Sequence, residues 1–142
     1  MLTSSGETKK YTKEHVSFSY RTSTFPKDEI LISAVFNCEM GNAEDIQKDK
    51  LDASKKRKEN QPLKFRSAGS IFKNPNSQFA AGYLIDKAGL KGTKCGNAEI
   101  SPKHANFIVN LGDAHANDVI ELIRIARETV VKKFNIKLEL EV

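Results

Sequence analysis

The apolar and polar positions divide the chain into elements of unequal clarity. Val119, Ile123, Ala126, Val130 and Phe134 recur at spacings of four, three, four and four, which predicts a helix over about 116–134 with one continuous inward stripe. Lys132 and Lys133 fall in its last turn, where cations complement the helix dipole, and Asn135 follows as its cap. From Ile136 to Val142 the alternation is strict, the pattern of a half-buried strand with Ile136, Leu138, Leu140 and Val142 on one face. Ile30 to Glu39, rich in β-branched residues and lying beyond Pro26, predicts the best strand of the first half, ended by Gly41-Asn42. Ala43 to about Glu59 is helical on propensity. Its apolar content is little more than Ile46, Leu51 and Ala53, so a surface helix with one thin inward stripe is expected. Ala80–Ala88 reads as a short helix closed by Gly89 in the left-handed conformation. Gly92, Gly96 and Gly112 punctuate two further candidate strands, about 93–100 and 104–111. Two main helices among short strands place the chain in the α+β class.

At 142 residues the chain is one domain's length, with room for a strip of a neighbour. Its 39% apolar and 29% charged residues suit a lean globular core. No apolar run approaches the roughly 20 residues of a membrane-spanning helix, and the opening residues show no secretory signal, so a cytoplasmic protein away from membranes is expected. Cys38 and Cys95 are too few for a disulfide framework and lack ligand spacing, so reduced core or near-core thiols and no metal site are expected. Lys and Arg total 23 against 18 acids, and the excess centres on Lys55-Lys56-Arg57-Lys58. Such a run suits nucleic acid or an anionic ligand, but its plain reading is a solvated helix face. With no aromatic RNA-binding signature and no zinc knuckle nearby, no nucleic-acid partner is expected.

The sequence has no glycine-rich phosphate loop, no HExxH and no GxSxG. His15, His104 and His115 are scattered and read as surface or strand residues. The stretch 60–79, bracketed by Pro62 and Pro75, is a loop long enough to point to function. Within it Ser70, Lys73 and Asn74 offer a hydroxyl, an ammonium and an amide in five residues, a set that can converge on a polar, anionic ligand. The competing reading gives Ser70 and Asn74 to local turn hydrogen bonds.

A longer ordered set changes that balance. Ala68-Gly69-Ser70-Ile71-Phe72-Lys73-Asn74-Pro75, then Ala81-Gly82-Tyr83-Leu84-Ile85-Asp86, then Gly89-Leu90-Lys91-Gly92, resembles the UDP-N-acetylenolpyruvoylglucosamine reductase (MurB) family. The resemblance continues through His104–Asn110, Asp118-Val119 and the closing Leu138-Glu139-Leu140-Glu141-Val142, and upstream Tyr20-Arg21-Thr22-Ser23 is similar to the family's Tyr-Arg-x-Ser element. It runs from residue 18 to the end, in the family's order.

The resemblance implies a flavoenzyme of peptidoglycan synthesis in which NADPH reduces bound FAD. Reduced flavin then passes hydride to the enolpyruvyl C3 of UDP-N-acetylglucosamine enolpyruvate, giving UDP-N-acetylmuramate. On the matching positions, Ser70 would protonate C2, and Arg21 and Glu141 would stabilise the enol-like intermediate. Tyr20, Lys73 and Asn74 would bind substrate. Periodicity alone puts Glu141 on the polar face of the last strand, and only the resemblance gives it a catalytic part.

A complete reductase of this kind is about twice as long, the missing half carrying the flavin-binding segments, so no cofactor-binding residue is assigned. The short Pro75–Ala81 stretch matches the shorter, type II form, whereas Asn97 stands where the family has glycine. The implied organisation is residues 1–42 as the end of an FAD-binding domain, 43–134 as the UDP-sugar-binding domain with a mixed sheet, and 135–142 as a truncated strand returning to the flavin domain. Function is then the C-terminal half of a reductase completed by a flavin domain in cis or in trans. The alternative is a UDP-sugar-binding module without redox activity of its own.

Overall fold

The computed structural model describes residues 1–76 and 78–142, and these fall into two compact units, Met1–Asn42 and Ala43–Val142. Ser77, within the predicted 60–79 loop, lies outside the described residues.

The first unit is small and built on a hairpin. Strands β1 (Phe18–Ser19) and β2 (Thr22–Ser23) pair antiparallel, with Phe18 opposite Ser23 and Ser19 opposite Thr22. Met1 and Val16 are its buried apolar residues, and the Glu29 carboxylate accepts hydrogen bonds from the Tyr11 hydroxyl at 3.0 Å and Lys9 Nζ at 3.2 Å. The strand expected over Ile30–Glu39 does not form. Ile30 makes a single bridge with Leu2, and beyond it the backbone is irregular, with Val35 and Phe36 exposed at 94% and 81%. β-Branched residues favour a strand only where a pleated, half-buried surface receives them, and no second strand among the described residues does so here. Cys38 is exposed on this segment, not near a core.

The second unit opens with helix α1 (Ala43–Asn60), which buries none of its residues. The expected inward stripe is absent because Ile46 and Leu51, five residues apart, project about 140° from one another around the helix. Arg57 Nε donates to Gln61 at 3.1 Å, and Lys103 Nζ donates to the Lys58 carbonyl at 2.6 Å, a cation at the helix C-terminus.

The core lies where helices α2 (Ala81–Lys87) and α3 (Ala116–Phe134) cover the sheet β3 (Lys94–Cys95), β4 (Ala98–Ile100), β5 (Ile108–Asn110). The α+β class is as expected, with every described strand pair antiparallel where a mixed sheet was allowed for. The predicted strand 93–100 is in fact a hairpin turning at Gly96-Asn97, with Cys95 opposite Ala98. Leu84, Ile85, Ile100, Val109, Leu122 and Val130 are almost wholly buried. The α3 stripe runs through Leu122, Ala126 and Val130; Val119 and Ile123 flank it, and Phe134 is exposed at its end. Gly89, at φ 81°, closes α2 as predicted: Leu90 N–H reaches the Ile85 carbonyl and Gly89 N–H the Asp86 carbonyl. Asn135, at φ 55°, ends α3 in the same left-handed conformation.

The last seven residues form less of a strand than their alternation predicts. Leu140 makes one bridge with Phe72, flanked by Lys73 N–H to Glu139 O (2.9 Å) and Glu141 N–H to Ile71 O (2.8 Å). Leu138 is in the core of this unit, whereas Leu140 and Val142 are exposed, since nothing among the described residues covers their end of the face.

Gly96 couples the sheet to α3. Its φ is +51°, and a Cβ there would lie 2.5 Å from an Asp118 carboxylate oxygen, the same carboxylate that accepts the His115 N–H at the start of α3. Gly96→Ala therefore combines a left-handed backbone penalty of about 1–2 kcal/mol with displacement of a cap worth about 1 kcal/mol. We expect a melting temperature lower by about 5–15 °C, measured by thermal circular dichroism. An unchanged melting temperature would show that the turn relaxes without cost.

Candidate functional site

Tyr20 and Arg21 form the two-residue turn between β1 and β2 in the first unit. Arg21 has φ 55°, a left-handed conformation that costs a side-chain-bearing residue about 1–2 kcal/mol. Its guanidinium carbon lies 5.8 Å from the centre of the Tyr20 ring, within cation–π range. Both residues are exposed. Backbone held in a sparsely populated region is an outlier of the kind that clusters at functional sites.

In the second unit, Ser70 follows Gly69, which has φ +93°, and makes an antiparallel bridge with Phe107. The next two residues are both held by Asn106, Phe72 by its side chain and Ile71 by its backbone carbonyl. Asn106, 5% exposed, accepts the Phe72 N–H on Oδ1 at 3.0 Å and donates from Nδ2 to the Phe72 carbonyl at 2.8 Å, while its own carbonyl accepts the Ile71 N–H at 2.9 Å. The predicted loop is thus held between residues 105–107 and 139–141, and Glu141, half-buried, is hydrogen-bonded next to Ser70 through Ile71. Lys73 Nζ lies 3.9 Å from the Glu139 carboxylate, a partly exposed pair of little energetic weight.

Asn74 has a part in the fold. Its Oδ1 accepts the Ala81 N–H at 3.0 Å, capping α2 from seven residues away where the N-cap residue Ala80 has no side chain to do so. The turn-type bond expected of Asn74 is therefore present, and the same residue also lies on the wall of a cleft.

That cleft has a volume of about 340 Å³ and is lined by Ser70, Asn74, Tyr83, Asp86, Lys91, Lys103, His104 and Asn106, among others. Lys91 Nζ is 2.8 Å from an Asp86 carboxylate oxygen and the Lys103 ammonium donates to the neutral Lys58 carbonyl, so the two lysines outnumber the one carboxylate on this wall. An open, polar, cationic cleft with a hydroxyl and an amide suits an anionic, hydroxyl-rich ligand. Of the predicted set, the structure brings Ser70 and Asn74 into this cleft and leaves Lys73 outside its lining.

Sequence reasoning missed His104, Lys103, Lys91, Asp86, Tyr83 and Asn106 as a group. His104 packs edge-on against Phe107 at 4.9 Å, and its Nδ1 accepts the Asn106 N–H at 3.2 Å. A Cβ on Gly82 would come within 3.1 Å of the imidazole, so glycine at that position of α2 makes room for the ring. Tyr83, Asp86, Lys91, His104 and Asn106 all stand in segments that carry the family resemblance, but spacing along the chain gave no sign that they meet in one cleft, and a glycine inside a helical pattern is weak alone.

Burial lowers the His104 pKa below its ordinary range, and the Lys91 charge lowers it further. The unfolded chain then binds this proton more readily than the folded one, so stability is complete above about pH 6.5 and falls as pH drops through the ordinary histidine range toward the folded pKa. We expect the urea midpoint of the chain to fall between about pH 7 and pH 5, and His104→Asn to flatten part of that fall. Equal slopes in the two proteins would exclude the histidine as the source.

Comparison with known proteins follows this geometry. The family model for the UDP-N-acetylenolpyruvoylglucosamine reductase C-terminal domain matches residues 61–142. The chain is 45% identical over 132 residues to the UDP-N-acetylenolpyruvoylglucosamine reductase of Fervidobacterium nodosum, covering 92% of this chain and 43% of that protein. It is 41% identical over 143 residues to that of Clostridium novyi, covering 100% and 46%. The crystal structure of MurB from Thermus caldophilus superposes with a TM-score of 0.78 at 43% identity, over 92% of this chain and 46% of that one. The chain spans about half the length of the curated relatives it matches.

Proposed function

This chain belongs to the UDP-N-acetylenolpyruvoylglucosamine reductase family, and we propose that it forms the substrate-binding half of such a reductase, reducing UDP-N-acetylglucosamine enolpyruvate to UDP-N-acetylmuramate in peptidoglycan synthesis. The observation that carries this reading is the placement of Ser70 and Asn74 on one cationic cleft, with the backbone after Ser70 held by Asn106. On this reading residues 1–42 are the end of a flavin-binding domain, 43–134 the UDP-sugar domain, and 135–142 the segment that returns to the flavin domain. The flavin-binding half, in cis or in trans, carries FAD, which NADPH reduces and which supplies the hydride at C3.

The chain's own residues hold the substrate and manage charge and proton. Lys91, Lys103 and Asn74 suit the diphosphate and its neighbouring hydroxyls. As hydride arrives at C3, electron density builds on C2 and the substrate carboxylate, and stabilising that charge in the transition state is the part the family resemblance gives to the Arg21 guanidinium. Ser70 then gives its hydroxyl proton to C2. A serine is a weak acid in water, so this step requires a strongly basic carbon held beside the hydroxyl. Glu141 lies next to this segment and shares the stabilisation of the enol-like species.

Calorimetric titration of the chain with UDP-N-acetylglucosamine enolpyruvate, together with its absorption spectrum, tests the reading. Saturable binding without flavin colour is the expected result, and it is also what a pure UDP-sugar-binding module would give. Turnover after adding a flavin-binding half separates the two. No binding by the folded chain would show that the cleft is not a self-sufficient UDP-sugar site.

A further inference from the structure

We propose that Asn106 is the positioning residue for the Ser70 hydroxyl: its buried amide stands in for a strand backbone and fixes both peptide groups of Phe72, two residues beyond the serine, so that the serine is presented at one place on the cleft. The inference rests on the reading of Ser70 as proton donor. Residues 70–72 belong to no regular strand, and Gly69, left-handed at φ +93° with open space where a Cβ would lie, gives the segment freedom just before the serine. Against that freedom stands one side chain. Asn106 uses every polar group it has: Oδ1 and Nδ2 on the two peptide groups of Phe72, its carbonyl on the Ile71 N–H, and its N–H on His104 Nδ1.

A carboxamide is required for this, because it offers one donor and one acceptor side by side, the complement of a residue's N–H and C=O. Alanine leaves both Phe72 groups without that partner in a buried place. An ionised aspartate keeps the acceptor and turns a second oxygen toward the Phe72 carbonyl. A protonated aspartate restores the donor and so the whole pattern.

The test uses the reductase assembled with its flavin-binding half. Asn106→Ala is expected to lower kcat by about 10- to 100-fold, a part of the 10²–10⁴ that a positioned proton donor is worth, with KM for the UDP-sugar little changed. In the Ser70→Ala background the same substitution should cost nothing further, because it acts through the hydroxyl. Equal fractional losses in both backgrounds, or a normal kcat in Asn106→Ala, would overturn the proposal. Should the alanine variant fail to fold, Asn106→Asp decides the point: its kcat should climb toward the wild-type value as pH is lowered and the buried carboxyl protonates. A pH profile parallel to the wild type would overturn the proposal there too. If the wild-type assembly itself does not turn over, the functional reading fails and the inference with it, an outcome distinct from turnover that ignores Asn106.

Discussion

Ser70→Ala, in the reductase assembled with its flavin-binding half, is expected to bind the UDP-sugar normally and form product about 10²–10⁴-fold more slowly. The substitution removes one oxygen from a half-buried position beside the cleft and leaves the Phe72 clamp in place, so fold and affinity should be untouched. The loss falls on the one step in which a carbon must receive a proton. Two readouts separate this from a general defect. Reduction of the enzyme by NADPH should proceed at the wild-type rate, while its reoxidation by substrate should carry the whole loss. Cysteine in place of Ser70, a better acid of nearly the same shape, should recover part of the rate. Equal slowing of both half-reactions would show that Ser70 shapes the site and does not deliver the proton.

The parts of this site differ in how openly the sequence declares them. Long periodic elements are readable in extent: the span of α3, the Gly89 stop and the Asn135 cap follow from spacing and from residues that tolerate left-handed backbone, although the buried stripe of α3 centres on Leu122 and leaves Phe134 exposed. Ile30–Glu39 was misread because β-propensity is a statement about a surface to pack on, and that surface is not among the described residues. The apolar residues of α1 do not make the expected stripe because Ile46 and Leu51 do not share a face, and both are exposed. Ser70 and Asn74 were visible as a cluster of polar types in a long loop, and the ordered resemblance gave them roles. Asn106 and His104 were hidden for a different reason. Their importance comes from which peptide groups the fold sets opposite them, 34 residues away for Asn106 and Phe72, and no local spacing encodes that pairing. Asn74 makes the local backbone bond that its residue type suggests, here as the cap of α2, and it also lines the cleft, so the two readings of that residue do not compete.

Arg21→Lys is expected to keep the fold and lose about 10²–10³ in kcat/KM. The loss has the size seen when one fixed donor is removed from a developing negative charge. Lysine keeps the formal charge but offers a compact, strongly hydrated ammonium in place of a planar fork, and a carboxylate gripped on both oxygens needs the fork. The hairpin backbone supplies the control. At φ 55° lysine bears the same left-handed penalty as arginine, so melting temperature should not separate the two proteins. Glycine bears none of it, and Arg21→Gly should melt at the same or a higher temperature while being less active than the lysine variant, since it carries no charge at all. Rising stability with falling activity would mark Arg21 as a residue held in strain for its chemistry. Near-normal turnover in Arg21→Lys would place the guanidinium away from the substrate carboxylate. Parallel loss of stability and activity in Arg21→Gly would make it a structural residue of the turn.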